Sequence, residues 1–419
     1  VSDAAPEPTQ PLRSDPDFRR YWLARQVSVS GSLVTAVALP VLVYRLSHSP
    51  GLTALTTVME ALPYLVFGLF AGALSDRWNR RRVMVTADLL NAVVLLSIPV
   101  AWWLGLLTIP HALVVGFVSQ AVFAFFDGAN FGALPVLVGR SRVGEANAAL
   151  WGFGGVLDLA VPLSVGALLA VFHPATLLLV DALSYVGSAL LVLAISRPLS
   201  HPRDAPPPFR PSAIVDEVRE GLVWLWRHTG VRSNTVVGTL QSAAGAGFMA
   251  LSVPYADRLL HIGTSGWRFG ILFSVWGIGG ILAATATPRL LRHTSTLRLT
   301  VWAIPFSAVI GVLTALASNW VLATVLIGLW GIAYQMVVMN SISYRQQVTP
   351  DALQGRVNTA GRVLSFGVGW SLGAVVAGAL STAYGLRPGM VIMVSLGVLA
   401  AAFAWLSPLP RMFVEPVTD

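Results

Sequence analysis

The stretch Gly72-Ala73-Leu74-Ser75-Asp76-Arg77-Trp78-Asn79-Arg80-Arg81-Arg82 decides how this chain is read. It is a short, strongly basic connection flanked by two apolar runs, near 51–75 and 82–105. Each run is long enough to supply the roughly 20 mostly apolar residues that cross a bilayer. Arginine collects in loops on the cytoplasmic face of membrane proteins, so this run of arginines marks that face. Gly72 lets two helices approach closely, as small residues do where membrane helices pack. Asp76, at a helix end, is placed to pair with Arg77 or Arg80 and to cap a facing helix. Topology alone explains the arginines but leaves Asp76 unexplained. Asn79 is expected to support a left-handed turn, which asparagine tolerates.

Composition extends this reading to the whole chain. Of 419 residues, 55% are hydrophobic and 11% charged, and the mean hydropathy is +0.71. A soluble protein carries about a quarter charged residues, and a single core stops growing near ~250–300 residues. The surplus apolar surface therefore faces lipid. With no cysteine there is no disulfide framework, thiolate metal site or cysteine nucleophile. All 27 basic residues are arginine, which fits compositional drift. A net charge of +8 in a soluble protein would suggest nucleic acid, but these arginines lie between apolar runs and no nucleic-acid partner is expected.

Counting apolar runs places spans near 20–46, 51–75, 82–105, 110–138, 145–171 and 174–195, then 232–256, 267–290, 298–316, 319–344, 355–382 and 388–407. The expected fold is an all-α membrane protein with twelve transmembrane helices in two pseudo-symmetric six-helix bundles. The first bundle covers 20–195 and the second 231–407. A cytoplasmic arm (1–19), a cytoplasmic linker with an amphipathic helix (196–230) and a tail (408–419) complete the chain. Arg13, Arg19, Arg20 and Arg25, the 77–82 run, Arg140, Arg142, the linker arginines, Arg289, Arg292, Arg298, Arg345 and Arg356 all fall on one side. The other side has only Arg45, Arg258, Arg268 and Arg387, so both termini and the linker are expected in the cytoplasm. The opening VSDAAPEPTQPLRSDPD has no apolar signal core and is expected to be a disordered arm. In the linker, RPLSHPRDAPPPFRPS is expected to be extended and semi-rigid. Ile214, Val218, Leu222 and Leu225 then recur at helical spacing, as in a helix lying along the inner membrane surface; a connecting strut is favoured over a regulatory role.

A weak repeat supports two halves. NFGALPVLVGRSRVGEANAAL starts at Asn130 and NSISYRQQVTPDALQGRVNTA at Asn340, half the chain later. Parallel repeats about an axis along the membrane normal have this offset.

The 72–82 stretch resembles the signature loop of the major facilitator superfamily, G-x-L-x-D-R-x-G-R-R/K, with Asn79 in place of the second glycine. It also falls in the second connection, where that family carries it. The resemblance implies that Gly72, Asp76, Arg77, Arg80 and Arg81 form a latch holding the cytoplasmic side shut in the outward-open state. Ala133-Leu-Pro-Val-Leu-Val138, Glu145-Ala-Asn147-Ala, Asp181-Ala-Leu-Ser184-Tyr185 and Gln354-Gly355-Arg356-Val357 are similar to the enterobactin-exporter-like branch of bacterial efflux transporters. In span 5 the chain departs from that pattern. Val161-Pro162-x-x-x-Gly166 keeps the exporter proline, while Asp158 stands where an arginine is usual.

Intramembrane acids are costly and are functional candidates by default. Glu60, Asp88, Asp127, Asp158 and Asp181 all fall in the first half. Glu60 and Asp158 lie nearest the midplane and are the leading proton-coupling candidates; Asp127 joins them, or an inner charge network. Asp88 is expected to pair with the 77–82 arginines, and Asp181 to be structural. Arg362 is the candidate counter-charge. The resemblance makes spans 1, 4, 7 and 10 line the cavity, which there carry Gln26, Gln120, Asn130, Gln241, Tyr334, Gln335 and Asn340. Beside Phe123, Phe125, Phe126, Phe248 and Trp330 these suit an amphipathic organic substrate; the bland alternative is hydrogen bonding between helices.

The chain has no lysine, hence no phosphate-binding G-x-x-x-x-G-K-[ST] loop, and no H-E-x-x-H. The expected function is proton-coupled export of a small amphipathic compound by alternating access. The protein would act as a monomer in the bacterial inner membrane, without cofactor or metal. Uptake or facilitated diffusion of a metabolite or lipid is the alternative, and a non-transporting receptor a more remote one.

Overall fold

A computed structural model describes residues 11–75, 77–200, 211–350 and 353–412. Asp76 and the linker stretch 201–210 lie outside them. The described helices are α1 (Pro16–Ser47), α2 (Pro50–Ser75), α3 (Arg80–Trp103), α4 (Ile109–Val138), α5 (Val143–Leu168), α6 (Pro174–Leu193) and α7 (Pro211–Arg227). After them come α8 (Thr229–Ala250), α9 (Trp267–Leu290), α10 (Thr296–Leu316), α11 (Trp320–Val348), α12 (Gln354–Tyr384) and α13 (Leu386–Leu406). Ten are long and apolar enough to cross a membrane, and α8 with Ser252–Leu259, bent from it by 51°, makes eleven. α2 takes the twelfth place: 26 residues with Glu60 as their one charged side chain, packed between α4 and α12. α7 is the amphipathic connector and packs on the start of α12, where Arg356 pairs with Glu220.

Local chemistry sets the helix starts. Thr108, His173 and Asn319 cap α4, α6 and α11 with side-chain acceptors, and Pro110 and Pro174 sit in first turns where no amide donor is needed. Asn79 corrects the expectation of a left-handed turn. Its φ is −65° and its side chain accepts from the Arg82 amide at 3.2 Å, so it restarts the chain as the N-cap of α3.

The N-terminal arm is shorter than expected. α1 starts at Pro16 rather than near 20, because Asp15 caps it through the amides of Asp17 and Phe18. Leu12 and Phe18 are buried in the core. Asp17, also buried, accepts from the Ser196 and Arg197 amides at 2.9 Å each, from Arg197 Nε at 3.3 Å and from Arg20 at 2.9 Å. It thereby satisfies amide donors just beyond the end of α6. Asp17→Ala is expected to lower the unfolding free energy by about 1–3 kcal/mol, the cost of stranded buried donors; thermal unfolding of purified protein checks this.

The distribution of the apolar core positions everything that follows. At the end away from the basic loops, one continuous core takes in both halves, from Val34–Tyr44 of α1 and Leu177–Tyr185 of α6 to Phe248, Phe269, Trp330 and Met390. At the basic end the core divides. Phe18, Met84, Phe126, Leu137 and Val192 form one cluster within the first half; Leu225, Val301, Val337, Val357 and Leu409 form another within the second. Each half also has its own polar tie. Tyr21 Oη donates to Asn130 Oδ1 at 2.5 Å between α1 and α4, and Ser341 Oγ donates to Asn234 Oδ1 at 3.0 Å between α11 and α8.

Candidate functional site

The halves meet along two seams, α2 with α12 and α5 with α9. On the first, Gly51 and Ala54 lie against Gly378 and Thr382, and Leu65 lies over Gly367. On the second, Gly166 and Gly270 bring backbone against backbone, and the Gly266 amide donates to the Gly166 carbonyl at 2.6 Å. Further toward the basic end, Gly155 meets only the side chain of Ile281. Beyond that, Phe131 on α4 and Trp151 and Phe153 on α5 are exposed. The protein is closed at one end and open at the end bearing the basic loops.

A polar network reinforces the closed end. Tyr44 Oη of α1 donates to Asp257 Oδ2 at 2.7 Å, and Arg258 Nε donates back to Tyr44 Oη at 3.0 Å. Arg258 also reaches the His48 carbonyl. Arg45 donates to Thr264 Oγ1 at 3.0 Å and to the Thr264 carbonyl at 3.2 Å. The bend after α8 makes this possible, because Ser252–Leu259 ends in a π-helical turn that presents Asp257 and Arg258 to α1. Tyr44 is bonded to a carboxylate and a guanidinium, and a hydrogen bond to a charged group is worth about 1.5–3 kcal/mol. Tyr44→Phe is therefore expected to raise the population open at this end at least about tenfold. Spin labels on introduced cysteines measure it, and the chain has no native cysteine to interfere.

The candidate acids divide by location. Glu60 is half-buried on α2, at a level between the Ala54–Gly378 and Leu65–Gly367 contacts. Seven residues separate it from Phe67, so it shares the face whose ring lies 6.4 Å from Phe117 and from Phe125 of α4. Asp158 is exposed on α5, its Cβ against Gly277 of α9. Pro162 has no amide proton for the Asp158 carbonyl four residues earlier, and a Cβ on Gly277 would sit 3.1 Å from that oxygen. Asp127 is half-buried on α4 between Phe126, over which Arg25 lies at 5.1 Å, and Gly128. Asp88, expected beside the basic loop, is instead turned into the first bundle at 1% exposure. Asp181 is equally buried and accepts from Thr35 and from Ser184, at 3.1 Å for the latter, on the α1–α6 contact.

Several cavity candidates are engaged within a bundle. Gln26 donates to the Leu150 carbonyl at 3.3 Å, Gln241 to the Tyr334 carbonyl at 3.4 Å, and Asn340 to the Met336 carbonyl at 2.8 Å. Tyr334 is buried with its ring 5.1 Å from Trp276. Gln120 on α4 and Gln335 on α11 are half-buried, Gln335 beside Gly280 of α9. Arg362 is exposed on α12, close to the buried Arg345, which donates to Asn358 Oδ1 at 2.9 Å. In the basic loop Arg80 donates to the Gly132 carbonyl at 3.0 Å and Arg81 to the Arg197 carbonyl at 2.6 Å, both within the first half. Arg77 is half-buried, and Gly72 belongs to the last turns of α2.

Reading residues singly missed the closed-end network. Its one signal was the scarcity of arginine on that side, which left Arg45 and Arg258 conspicuous; nothing local links Tyr44 to Asp257.

Two six-helix bundles that share a core at one end and part at the other define a membrane transporter of the major facilitator class, not an enzyme. The chain belongs to the transmembrane secretion effector family within it, whose sequence profile matches residues 7–416. It is similar to the enterobactin exporter EntS of Shigella boydii serotype 4 (strain Sb227), 27% identical over 401 residues that cover 90% of each chain. It is also similar to the multidrug efflux pump Tap of Mycolicibacterium fortuitum, 26% identical over 388 residues, 88% of this chain and 91% of that one. Among solved structures, a bacterial homologue of the human lysosomal transporter Spinster, in an inward-facing and unoccupied conformation, superimposes with a TM-score of 0.75 at 14% identity. That match covers 97% of this chain and 98% of the other. The nucleoside transporter NupG (D323A mutant) gives 0.76 at 12% identity over 93% and 99%.

Proposed function

We propose that this protein is a secondary active exporter that couples inward proton movement to efflux of a small amphipathic organic compound, a drug, antibiotic or siderophore-like product, by alternating access. The observation that carries the reading is the divided core: one shared cluster at the closed end and two separate clusters at the open end. Bundles joined in this way pivot about the middle of their seams with little repacking inside either one. Arginine bias supports a cytoplasmic location for the open end and both termini of a bacterial inner-membrane protein, and on that reading this state faces inward. The names of the exporter and efflux relatives favour export of a siderophore or drug.

Glu60 and Asp158 are the proposed proton carriers, one on each of the two helices that the first half contributes to the seams, with Asp127 as a third candidate on the inner side. Arg362 is the proposed counter-charge. Gln120 and Gln335, half-buried on two cavity-lining helices, are the foremost substrate contacts. The loop residues Gly72, Asp76, Arg77, Arg80 and Arg81 would latch across to the second bundle when the inner end closes; the carbonyl contacts of Arg80 and Arg81 are what that state would exchange. A single chain forms the whole pathway, within the lipid bilayer.

Everted membrane vesicles test this reading. Energised vesicles containing the protein should accumulate substrates from a panel of lipophilic cations, antibiotics and catecholate siderophores, and a protonophore should release them. Accumulation that survives the protonophore would refute proton coupling; no accumulation of any class would refute export of amphipathic compounds.

A further inference from the structure

The first bundle encloses polar side chains that the proposed transport cycle does not use. Asp88 and Asn91 lie one turn apart on the buried face of α3, each 1% exposed. Asp181, Ser184, Tyr185 and Ser188 belong to the buried stripe of α6, which packs on α1 and α3. α3 runs away from the basic end and α6 returns to it. Asp88, about two turns into α3, therefore stands level with Ser188, somewhat more than about one turn before the end of α6. Ser188 is fully buried and lies beside Asp88 without closing a hydrogen bond to it. Arg25 of α1 and Asp181 are within electrostatic reach of Asp88, and Tyr185 is within reach of all three. These groups share one pocket between α1, α3 and α6.

Asp181 is satisfied, since Thr35 and Ser184 donate to its two oxygens, and Tyr185 Oη lies 3.2 Å from Ser32 Oγ. The neighbouring groups are not. Both carboxylate oxygens of Asp88, both polar atoms of Asn91, Ser188 Oγ and Arg25 Nη1 are buried without a hydrogen-bond partner. Native interiors rarely strand such atoms, and a cluster of them points to a ligand held among them. The charge is also unbalanced. Asp88 and Asp181 set two carboxylates against the one guanidinium of Arg25, which, like Asp127, also faces Tyr21 nearer the basic end. A proton on Asp88 would supply a single donor and leave Asn91 Oδ1 and Ser188 Oγ unmatched. A metal cation takes lone pairs from all of these oxygens at once. Calcium gathers about 6–8 oxygens, more than these side chains offer, so the set suits a monovalent ion.

We propose that Asp88, Asn91 Oδ1 and Ser188 Oγ hold a sodium ion inside the first bundle, with Asp181 as the second carboxylate, offset by Arg25. The ion ties α3 to α6 away from both seams. It braces the bundle that must move as a unit and leaves the proton as the coupling ion of export, so its presence is independent of that reading.

Binding of radioactive sodium to the purified full-length protein in neutral detergent, read by scintillation proximity, tests this. Binding should saturate at one ion per chain, with unlabelled sodium competing and choline not. Losing a group that merely orients a metal ligand weakens binding about 10–100-fold, so Asp88→Asn, which removes a ligating carboxylate, should weaken it at least about 100-fold. Ser188→Ala removes one oxygen with little burden on folding and should weaken binding about 10-fold, the lower end of that range. Sodium should also raise the unfolding temperature of the unaltered protein above its value in choline at equal ionic strength, and should not do so for Asp88→Asn. Absence of saturable sodium binding would overturn the proposal and leave Asp88 protonated. Binding unchanged in both variants would overturn it by placing the ion elsewhere, and displacement of sodium by micromolar calcium would overturn it in favour of a divalent ion.

Discussion

Gly270→Leu is expected to abolish transport and to hold the protein open at the end that is closed here. A Cβ at 270 would stand 2.7 Å from the Leu163 carbonyl oxygen, 2.9 Å from Leu163 Cα and 3.0 Å from the Pro162 carbonyl oxygen. These are backbone atoms of α5 and cannot rotate aside. Overpacking of this kind costs about 1–3 kcal/mol, and a branched side chain against a helix backbone lies at the upper end. The strain disappears when the seam parts, so it acts on the balance of the two states. That balance should shift at least about tenfold, since 1.4 kcal/mol is a factor of ten. Spin labels at Val171 and Tyr384, exposed near this end in the two halves, should report a longer distance. Gly152→Ala is the control: it lies in the same seam helix with open space around it and should leave both distance and transport unchanged.

Glu60→Gln is expected to remove uphill transport while leaving downhill equilibration of substrate. Glutamine keeps the size and hydrogen-bonding capacity of the protonated acid but cannot release a proton when an opening wets it. Accumulation driven by a pH gradient should fall at least about tenfold, the scale of losing a group whose protonation state selects between conformations. Asp158→Asn should reduce the same quantity less, because Asp158 is exposed in this state and not held between helices. A Glu60→Gln protein that still accumulates substrate would move the carrier role elsewhere. Comparison of gradient-driven and counterflow transport in one preparation separates lost coupling from lost folding.

The helical register of this protein was open to reading from residue types. Apolar runs located all twelve long helices to within a few residues, because lipid imposes one requirement on every span. The basic loops located one end of the bundle for the same reason. The start of α1 was misplaced because Asp15 and Asp17 look like solvated acids until Ser196 and Arg197 are brought beside them. Asn79 was read for its tolerance of a left-handed turn, and its side chain instead caps α3, a choice fixed by where Arg82 falls. Asp88 was assigned to the nearby arginines along the chain, but its helical face points into the bundle. Gly166 was noted for its spacing from Pro162, yet its contact with Gly270 depends on how two distant helices cross. Pairings across the seams depend on three-dimensional approach and leave no local trace in either partner.

The central claim is that substrate and protons move in exchange through one chain. The most direct test places purified protein in liposomes with a pH-sensitive dye inside, with an imposed pH gradient, and adds each compound of the panel in turn. Proton flux that appears only with a transported compound, and disappears in Glu60→Gln, is the predicted result. Transport of a compound with no accompanying proton flux, unchanged in Glu60→Gln and Asp158→Asn, would contradict the account and leave a uniporter or a different coupling ion in its place.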